Sequence, residues 1–506
     1  MARPSIFAHG TRRDLLDNEH LSLDLGTRSV GGALFAFGGQ GAGILIQLAN
    51  VYVLARLLVP DDYGIYALAM IIVGFTGIFT DFGLSVAAIQ MEKLDQNVAS
   101  GLFFMNVALG TGAMIVCLIG APIFGWYFDQ PAVFWAIVAL AIAIPFSAAT
   151  VQYNALLSRG MRWREIQIVL IVSQLAGFAS GAVSARYGAG YMSLVIAANV
   201  QILVKLVLAV WLSHWRPSLV TNWNACWGAV RFGAYYTGFT LCNFLHKQAD
   251  VFLIGNYWGV RETGYYNRAY QLMALPLNAV SGPLGSVFLP ALSRLQGDPP
   301  RWGRAFVRAT LMTSLLGCAA AAALFASADP IIRIVLGPGW DETGRLFAWL
   351  SLSMIVTFPM GAASWAFTSL GRTKAFFHWG LLSTGALVIA FAAAAPFGAV
   401  RVAQAYSGMV FLLTPVCFVM ALKGSGLKAF TVLGELMPVW LAAVLAGVIG
   451  RAILVSTPWL IFDVTLRTIV TLGCYAIVLA PFFFWRQSYR QLREEAWGLT
   501  RRLSRL

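Results

Sequence analysis

The sequence predicts an all-α integral membrane protein with about fourteen transmembrane helices. Apolar blocks of roughly twenty residues, the length that a helix needs to cross a bilayer core, follow one another from residue 30 to residue 485. Of the 506 residues, 59% are hydrophobic and 11% are charged, whereas soluble domains carry about 25% charged residues. No polar stretch is long enough for a separate soluble domain. The function therefore involves something that crosses a bilayer or is handled within one.

The polar breaks between the blocks set the expected ends of the spans. We place the spans at residues 30–58, 63–90, 101–124, 132–157, 165–185, 190–213, 231–257, 263–290, 306–327, 344–370, 375–395, 399–422, 433–455 and 460–485.

The distribution of Lys and Arg predicts the orientation. With the N-terminus inside, the inner segments carry 24 of the 35 cations, the outer ends and loops carry seven, and four lie within spans. Cytoplasmic loops of membrane proteins collect Lys and Arg, so we expect a multi-pass protein of the bacterial inner membrane with both termini cytoplasmic. The net charge of +14 has the same origin and does not indicate nucleic acid.

The two termini are predicted to be cytoplasmic segments of different character. Residues 1–29 form a polar tail. Residues 486–506 continue an alternating spacing of four and three between apolar positions, with Arg on the other faces. That pattern predicts a basic amphipathic helix on the anionic cytoplasmic leaflet; a partner-binding helix is the alternative.

The chain repeats itself at an offset of 200 residues. Residues 47–54 match 247–254, and residues 62–66 match 262–266. We therefore expect an N-lobe of six spans (30–213), a cytoplasmic linker (214–230) and a C-lobe of six spans (231–422), with spans 13 and 14 (433–485) outside the repeat. An even number of spans per copy gives a parallel repeat, a transporter design with the substrate between the lobes.

Ionisable residues inside spans cost about 2.5–3.5 kcal/mol each and usually face a cavity. Lys247 and Asp250 are three residues apart in span 7 and share a helix face; their repeat equivalents are Gln47 and Asn50. The candidate residues of a substrate cavity are these four together with Arg268 and Lys205. The alternative for Lys247 and Asp250 is that they neutralise each other and only lock a helix.

Three further polar residues are candidates for ion coupling or gating: Asp81, His246 and Arg56. Each has a structural alternative. Asp81 could pair with cytoplasmic cations, His246 could serve packing, and Arg56 could extend to the headgroups.

The six cysteines are scattered, so neither a disulfide framework nor a metal site is expected, and no cofactor is expected. The glycines in Gly38–Gly43 lack the βαβ context of a dinucleotide loop and predict close helix packing.

Four segments resemble a known family. They are Arg56–Tyr66, Asp81–Gln90, Gly264–Gln271 and Gly282–Gln296, and they are similar to the polysaccharide transporter family, the Wzx-type flippases. This family belongs to the multidrug/oligosaccharidyl-lipid/polysaccharide superfamily, with the lipid II flippases and the MATE exporters. The resemblance covers most of spans 1–12.

The resemblance implies a V-shaped pair of six-helix lobes, alternating access and no enzymatic activity. The implied substrate is a polyprenyl-pyrophosphate-linked oligosaccharide, moved to the periplasmic leaflet for exopolysaccharide, capsule or O-antigen synthesis. Membrane lipids, a polysaccharide polymerase and chain-length proteins are the implied partners. A lipid II-type flippase and a MATE-like drug antiporter remain as alternatives. A membrane glycosyltransferase or polymerase is the alternative of another class, and the lack of a long outer loop with catalytic groups disfavours it.

Overall fold

The computed structural model describes residues 25–91, 94–220, 223–453, 459–490 and 493–494. The described helices are α1 (Leu25–Leu57), α2 (Pro60–Asp81), α3 (Leu84–Gln90), α4 (Gln96–Tyr127), α5 (Pro131–Ala141), α6 (Ile144–Arg159), α7 (Trp163–Arg186), α8 (Met192–Ser213), α9 (Trp223–Arg294), α10 (Pro299–Ala326), α11 (Ala328–Val335), α12 (Asp341–Ser369), α13 (Thr373–Ala394), α14 (Ala399–Leu422), α15 (Ala429–Ala452) and α16 (Leu460–Trp485).

The prediction of an all-α membrane protein is confirmed. Twelve helical segments among the described residues are long and apolar enough to cross a membrane. In addition, α1 and the first part of α9 are helical where the first and seventh spans were predicted.

Two predicted spans are each divided into two helices. The predicted span 63–90 breaks after α2, where Phe82 and Gly83 have φ angles of 45° and 70°, which a continuing right-handed helix does not permit. The predicted span 132–157 breaks between Ala141 and Ile144. Pro145 lies in the first turn of α6, where a proline is tolerated because its missing N–H would have no helical partner.

Helix α9 joins the predicted spans 7 and 8 without a separate loop. It contains a kink at Gly259, whose φ of 76° is readily adopted only by glycine. It also begins at Trp223, inside the predicted linker 214–230, so part of that linker is helical.

The helices pack into two units. The first contains the described residues up to Gln248 together with Gly259–Gly264, and the second contains Ala249–Trp258 and the described residues from Tyr265 onward. Residues 231–248 belong to the first of these units, although the sequence assigned them to the predicted C-lobe (231–422). The lobe boundaries stay predictions.

The core of the first unit includes a buried aromatic group on α4, α6 and the segment after α8. The Trp215 ring makes edge contacts with Phe103 and Tyr153, and its Nε1–H donates to Gln96 Oε1 at 2.8 Å. This hydrogen bond satisfies the one polar atom of a fully buried indole, as buried tryptophans require. The start of the predicted linker is thereby fixed to α4.

The glycine-rich part of α1 packs closely against α7, as predicted. A Cβ atom on Gly39 would lie 2.1 Å from Gln167 Oε1, and one on Gly43 would lie 3.3 Å from Gln174 Oε1. Both glycines therefore serve close helix contact, which small residues permit.

The core of the second unit lies on α10, α12 and α14. Trp302 stacks on Phe306 with ring centroids 5.1 Å apart, and its Nε1–H donates to Ser369 Oγ at 3.2 Å. Phe347 and Phe358 are also almost fully buried. Among the described helices that are long and apolar enough to cross a membrane, α12 is the most buried: 72% of its most apolar 18 residues are buried.

The predicted segments at the two ends fall largely outside the described residues. This applies to residues 1–24 of the tail and to residues 491–492 and 495–506 of the C-terminal segment. The described start of that segment packs on α15: the fully buried Tyr489 donates its hydroxyl to the Glu435 carbonyl, and Arg486 donates to the Gly434 carbonyl at 2.6 Å.

Candidate functional site in the membrane-spanning helices

Asp250 is a buried carboxylate of the second unit, with 2% of its surface exposed. One carboxylate oxygen accepts a hydrogen bond from the Tyr266 hydroxyl at 2.7 Å, and the other accepts from the Val251 N–H at 2.8 Å. In a straight α-helix, two residues sixteen positions apart would be separated by about 24 Å. The kink at Gly259 is what brings these two side chains of α9 together.

Two further tyrosines extend this group. The Tyr266 ring stacks on the Tyr270 ring at 6.4 Å, and the Tyr270 ring meets the Tyr406 ring of α14 edge-on at 6.4 Å. We call Asp250, Tyr266, Tyr270 and Tyr406 the carboxylate–tyrosine cluster. The tyrosine that bonds to Asp250 is a neutral donor, so it stabilises the carboxylate by hydrogen bonding without cancelling its charge. Such a carboxylate can take up a proton or a small cation.

The hydrogen bonds of Asp250 bear on the alternative that Lys247 neutralises it. Both carboxylate oxygens already accept hydrogen bonds from Tyr266 and Val251, and the Lys247 side chain is exposed on the first unit. Neither of these two hydrogen bonds comes from Lys247, and neutralisation of Asp250 by Lys247 stays a prediction. Lys205, on α8 of the same unit as Lys247, is half-buried.

Arg268 lies in the second unit and is 8% exposed. Its Nη1–H donates to Gln271 Oε1 at 2.9 Å, and Gln271 Nε2–H donates to Asn267 Oδ1 at 3.0 Å. The guanidinium is therefore oriented by a chain of amides on the same helix. A guanidinium presents several donors in a fixed plane, and the binding of an anion by Arg268 stays a prediction.

On α1, Gln47 is exposed and Asn50 is half-buried. The Asn50 Oδ1 atom is buried, and none of the described residues donates a hydrogen bond to it. Arg56, further along α1, donates to the Tyr52 carbonyl at 3.1 Å and lies over the Tyr52 ring at 3.7 Å. That contact turns Arg56 back along its own helix.

Asp81 has a local structural role. Its two carboxylate oxygens accept from the Ser85 N–H at 2.8 Å and the Ser85 hydroxyl at 2.6 Å. It thus bonds across the break between α2 and α3 and stabilises the start of α3. The side chain of His246 lies outside the described side chains.

Of the residues predicted from the sequence, the second unit includes Asp250 and Arg268 and the first unit includes Lys205, Lys247, Gln47 and Asn50. The tyrosines of the cluster were missed. The spacing of four between Tyr266 and Tyr270 indicates one helix face, but only the kink at Gly259 places that face against Asp250.

These features define a polytopic helical membrane protein with polar and charged groups inside its spanning helices. The profile of a family described as polysaccharide biosynthesis protein matches residues 53–345. Because this match covers more than half of the chain, the protein belongs to that family, and the family predicted from the sequence motifs is confirmed.

Individual relatives and a solved structure agree with this assignment. The chain is 23% identical over 365 residues to the succinoglycan biosynthesis transport protein ExoT of Rhizobium meliloti (strain 1021), covering 71% of this chain and 73% of that protein. It is 21% identical to the teichuronic acid biosynthesis protein TuaB of Bacillus subtilis (strain 168), and the match covers 87% of this chain and 92% of that protein. The fold is similar to that of the lipid II flippase MurJ in an inward closed conformation, with a TM-score of 0.73 and 12% sequence identity. The match covers 89% of this chain and 100% of the MurJ chain.

Proposed function

We propose that this protein is a flippase that moves polyprenyl-pyrophosphate-linked oligosaccharides from the cytoplasmic to the periplasmic leaflet by alternating access. The observation that carries this proposal is the match of residues 53–345 to a polysaccharide biosynthesis family in a chain with the fold of a lipid flippase. The export supplies repeat units for exopolysaccharide, capsule or O-antigen synthesis. The protein itself catalyses no covalent step.

The polar residues within the spans support the transport of an anionic head group. A pyrophosphate is drawn to cations, and Lys247, Arg268 and Lys205 are cations inside spanning helices. We assign Lys247 to contact with the pyrophosphate because it is an exposed residue with a cationic side chain. Arg268 provides an oriented guanidinium in the other unit. Gln47, which is exposed, and Asn50, which is half-buried, contribute neutral polar contacts to the sugar.

The polyprenyl chain stays in lipid during transport, against α15 and α16. Both helices present apolar side chains to the outside, for example Leu441 and Ile477. The membrane potential favours the direction, because an anion leaving a negative cytoplasm gains about 2.3 kcal/mol per charge per 100 mV. Ion antiport through Asp250 is a second contribution, supported by the burial of this carboxylate and its hydrogen bond to the Tyr266 hydroxyl.

The protein is placed in the bacterial inner membrane with both termini cytoplasmic, as the charge distribution predicts. In that orientation its substrate arrives from cytoplasmic glycosyltransferases and leaves to a periplasmic polymerase. A polymerase and chain-length proteins are therefore the partners that we propose.

Reconstitution tests the function directly. Purified protein is placed in liposomes that contain a fluorescent polyprenyl-pyrophosphate-linked oligosaccharide. An impermeant quencher is added, and the fraction of the fluorescence that the quencher does not reach is followed over time. We expect this protected fraction to fall in protein-containing liposomes and to stay constant in protein-free liposomes. No change beyond the protein-free rate would overturn the proposal.

Two parallel arms distinguish the alternatives. Liposomes with labelled lipid II test a lipid II-type flippase, and uptake of an organic cation against a proton gradient tests a drug antiporter. Activity in either arm without activity on the oligosaccharide lipid would replace the proposed substrate. Incubation with nucleotide sugars, followed by chromatography of the lipid fraction, tests a glycosyltransferase; a lengthened glycan would contradict the assignment as a transporter.

A further inference from the structure

A pocket of about 410 Å³ opens in the second unit at the ends of two membrane-crossing helices. Its walls are the first turns of α10, the turn at Gly426 and Leu427 that precedes α15, and the first two turns of α15; Ser488 closes it. This volume is within the range of about 300–1,000 Å³ that is typical of small-molecule sites. We call it the basic pocket.

The charge around the basic pocket is strongly positive. The described segments around it, residues 298–311, 423–435 and 486–490, carry seven Lys and Arg against two Asp and Glu. Arg304 lines the pocket and is exposed, and Arg308, one turn further along α10, lines it and is half-buried. The acidic lining residue is Glu435, and its carboxylate is 3.5 Å from the Arg486 guanidinium. The surroundings therefore favour an anion.

Below the arginines α10 becomes apolar. Arg304, Arg308, Met312 and Leu316 follow one another at intervals of four, so they form an oblique row that turns by about 40° around the helix at each step. Met312 and Leu316 are 36% and 61% exposed. Helix α10 has 28 residues and is about 42 Å long, longer than the bilayer core of about 30 Å. All arginines of α10 lie in its first ten residues, and the rest of the helix carries no charged residue. We therefore place its first turns at headgroup depth and Leu316, about 18 Å further along the helix than Arg304, in the acyl region.

The C-terminal segment completes the basic pocket. Tyr489, next to Ser488, is fully buried and donates to the Glu435 carbonyl, and Arg486 donates to the Gly434 carbonyl. Burial raises the pKa of Tyr489, so its hydroxyl remains a donor at neutral pH. These bonds fix residues 486–490 against α15 and form one wall of the pocket.

We infer that the basic pocket binds an anionic phospholipid of the cytoplasmic leaflet, with its phosphate at Arg304 and Arg308 and an acyl chain along Met312 and Leu316. Basic pockets between membrane-spanning helices on the cytoplasmic side are a recurrent form of anionic lipid site. A soluble anion would use the arginines but not the apolar path below them. The placement in the cytoplasmic leaflet rests on the topology proposed above, whereas the lipid binding is independent of the transported substrate.

Native mass spectrometry of the full-length protein tests this inference. The protein is released from micelles that contain equal amounts of phosphatidylglycerol and phosphatidylcholine, and the lipids that remain bound are counted. Arg304→Glu reverses an exposed charge, and Thr431→Trp fills the pocket from α15 without changing charge. We expect Arg304→Glu to retain phosphatidylglycerol about 25-fold less well, because each unit of charge near an anionic lipid contributes about a factor of five and the variant changes two. Thr431→Trp should also retain less phosphatidylglycerol, because the indole occupies the volume of the pocket.

Arg401→Glu is the matched control, since Arg401 is an exposed arginine of the second unit that bonds to Gln404 away from the pocket. It should retain phosphatidylglycerol as the unmodified protein does. Equal retention of the two lipids, or unchanged retention of phosphatidylglycerol in both pocket variants, would overturn the inference.

A separate arm measures the thermal stability of the protein with inorganic phosphate alone. If phosphate stabilised the protein as much as phosphatidylglycerol does, the pocket would be a simple anion site and the inference of a lipid site would be wrong. Failure of transport in the reconstituted flippase assay would leave these lipid measurements unaffected.

Discussion

Gly64 of α2 and Gly264 of α9 meet at one close backbone crossing, although they are 200 positions apart in the sequence and equivalent in its repeat. A Cβ atom on Gly64 would lie 1.7 Å from the Val260 carbonyl oxygen, and one on Gly264 would lie 1.9 Å from the Pro60 carbonyl oxygen. Both obstacles are backbone atoms, which cannot rotate aside. The crossing therefore requires glycine on both helices.

We expect Gly264→Ala to destabilise the protein, by about 1–3 kcal/mol as is typical of overpacking. The measurement is the fraction that remains monodisperse in size-exclusion chromatography after heating. Gly77→Ala is the control in α2, because a Cβ atom at that position would have no neighbour within 4 Å. If the two variants melted at the same temperature, the close crossing would be absent in the folded protein.

Tyr266→Phe removes the hydroxyl that donates to the buried Asp250 carboxylate. We expect a loss of about 1–3 kcal/mol, the cost of a buried acceptor left without its donor, again measured by thermal unfolding. Tyr270→Phe is the control, since Tyr270 contacts the cluster through its ring. Adding Asp250→Asn to Tyr266→Phe should recover stability, because the charge that needed the donor is gone. Equal melting of Tyr266→Phe and Tyr270→Phe would contradict this assignment.

Lys247→Ala should lower flipping of the oligosaccharide lipid by roughly tenfold, equivalent to about 1.4 kcal/mol, while the protein accumulates normally in the membrane. Accumulation is unaffected because the Asp250 carboxylate takes its hydrogen bonds from Tyr266 and Val251. Lys247→Arg keeps the charge and should keep most activity.

The double variant Lys247→Ala/Asp250→Ala separates this role from helix locking. If Lys247 only neutralised Asp250, the single variant would lose folded protein and the double variant would regain both abundance and transport. Full transport by the double variant would remove Lys247 from the substrate path.

The topology predicts which cysteines an impermeant reagent reaches in intact cells. In a cysteine-free background, Asp61→Cys and Arg261→Cys should be labelled from outside, whereas Arg162→Cys and Arg304→Cys should be labelled only after permeabilisation. The reason is the excess of Lys and Arg on the predicted inner segments. Labelling of Arg304→Cys from outside would exclude the predicted orientation.

Local chemistry explains why much of the fold is predictable. A spanning helix must satisfy its backbone polar groups within itself, so apolar length alone predicts where most of the spanning helices lie. It did not predict α11 (Ala328–Val335), which lies between two predicted spans. Close packing at Gly39 and Gly43 also follows from residue size. The breaks at Phe82–Gly83 and before Pro145 were not predicted, because apolar length does not reveal where a helix is interrupted.

Arg159 is an example of a role that sequence position conceals. The charge count treats it as a cytoplasmic cation, but it is 4% exposed and donates to the carbonyls of Ala88, Ile89 and Met91 at the end of α3. Such capping contacts depend on where another helix ends, in this case α3. The sequence of α6 does not indicate the end of α3.

The sequence by itself determined the class of protein, its family, the approximate positions of its spans and the ionisable residues inside them, because each of these depends on composition, spacing or motif. Only the tertiary structure decided how those residues are partnered. Helical spacing alone pairs Asp250 with Lys247, three positions away. The φ of 76° at Gly259 instead folds α9 back so that Tyr266 reaches Asp250, and a single backbone angle thereby determines the environment of the buried carboxylate.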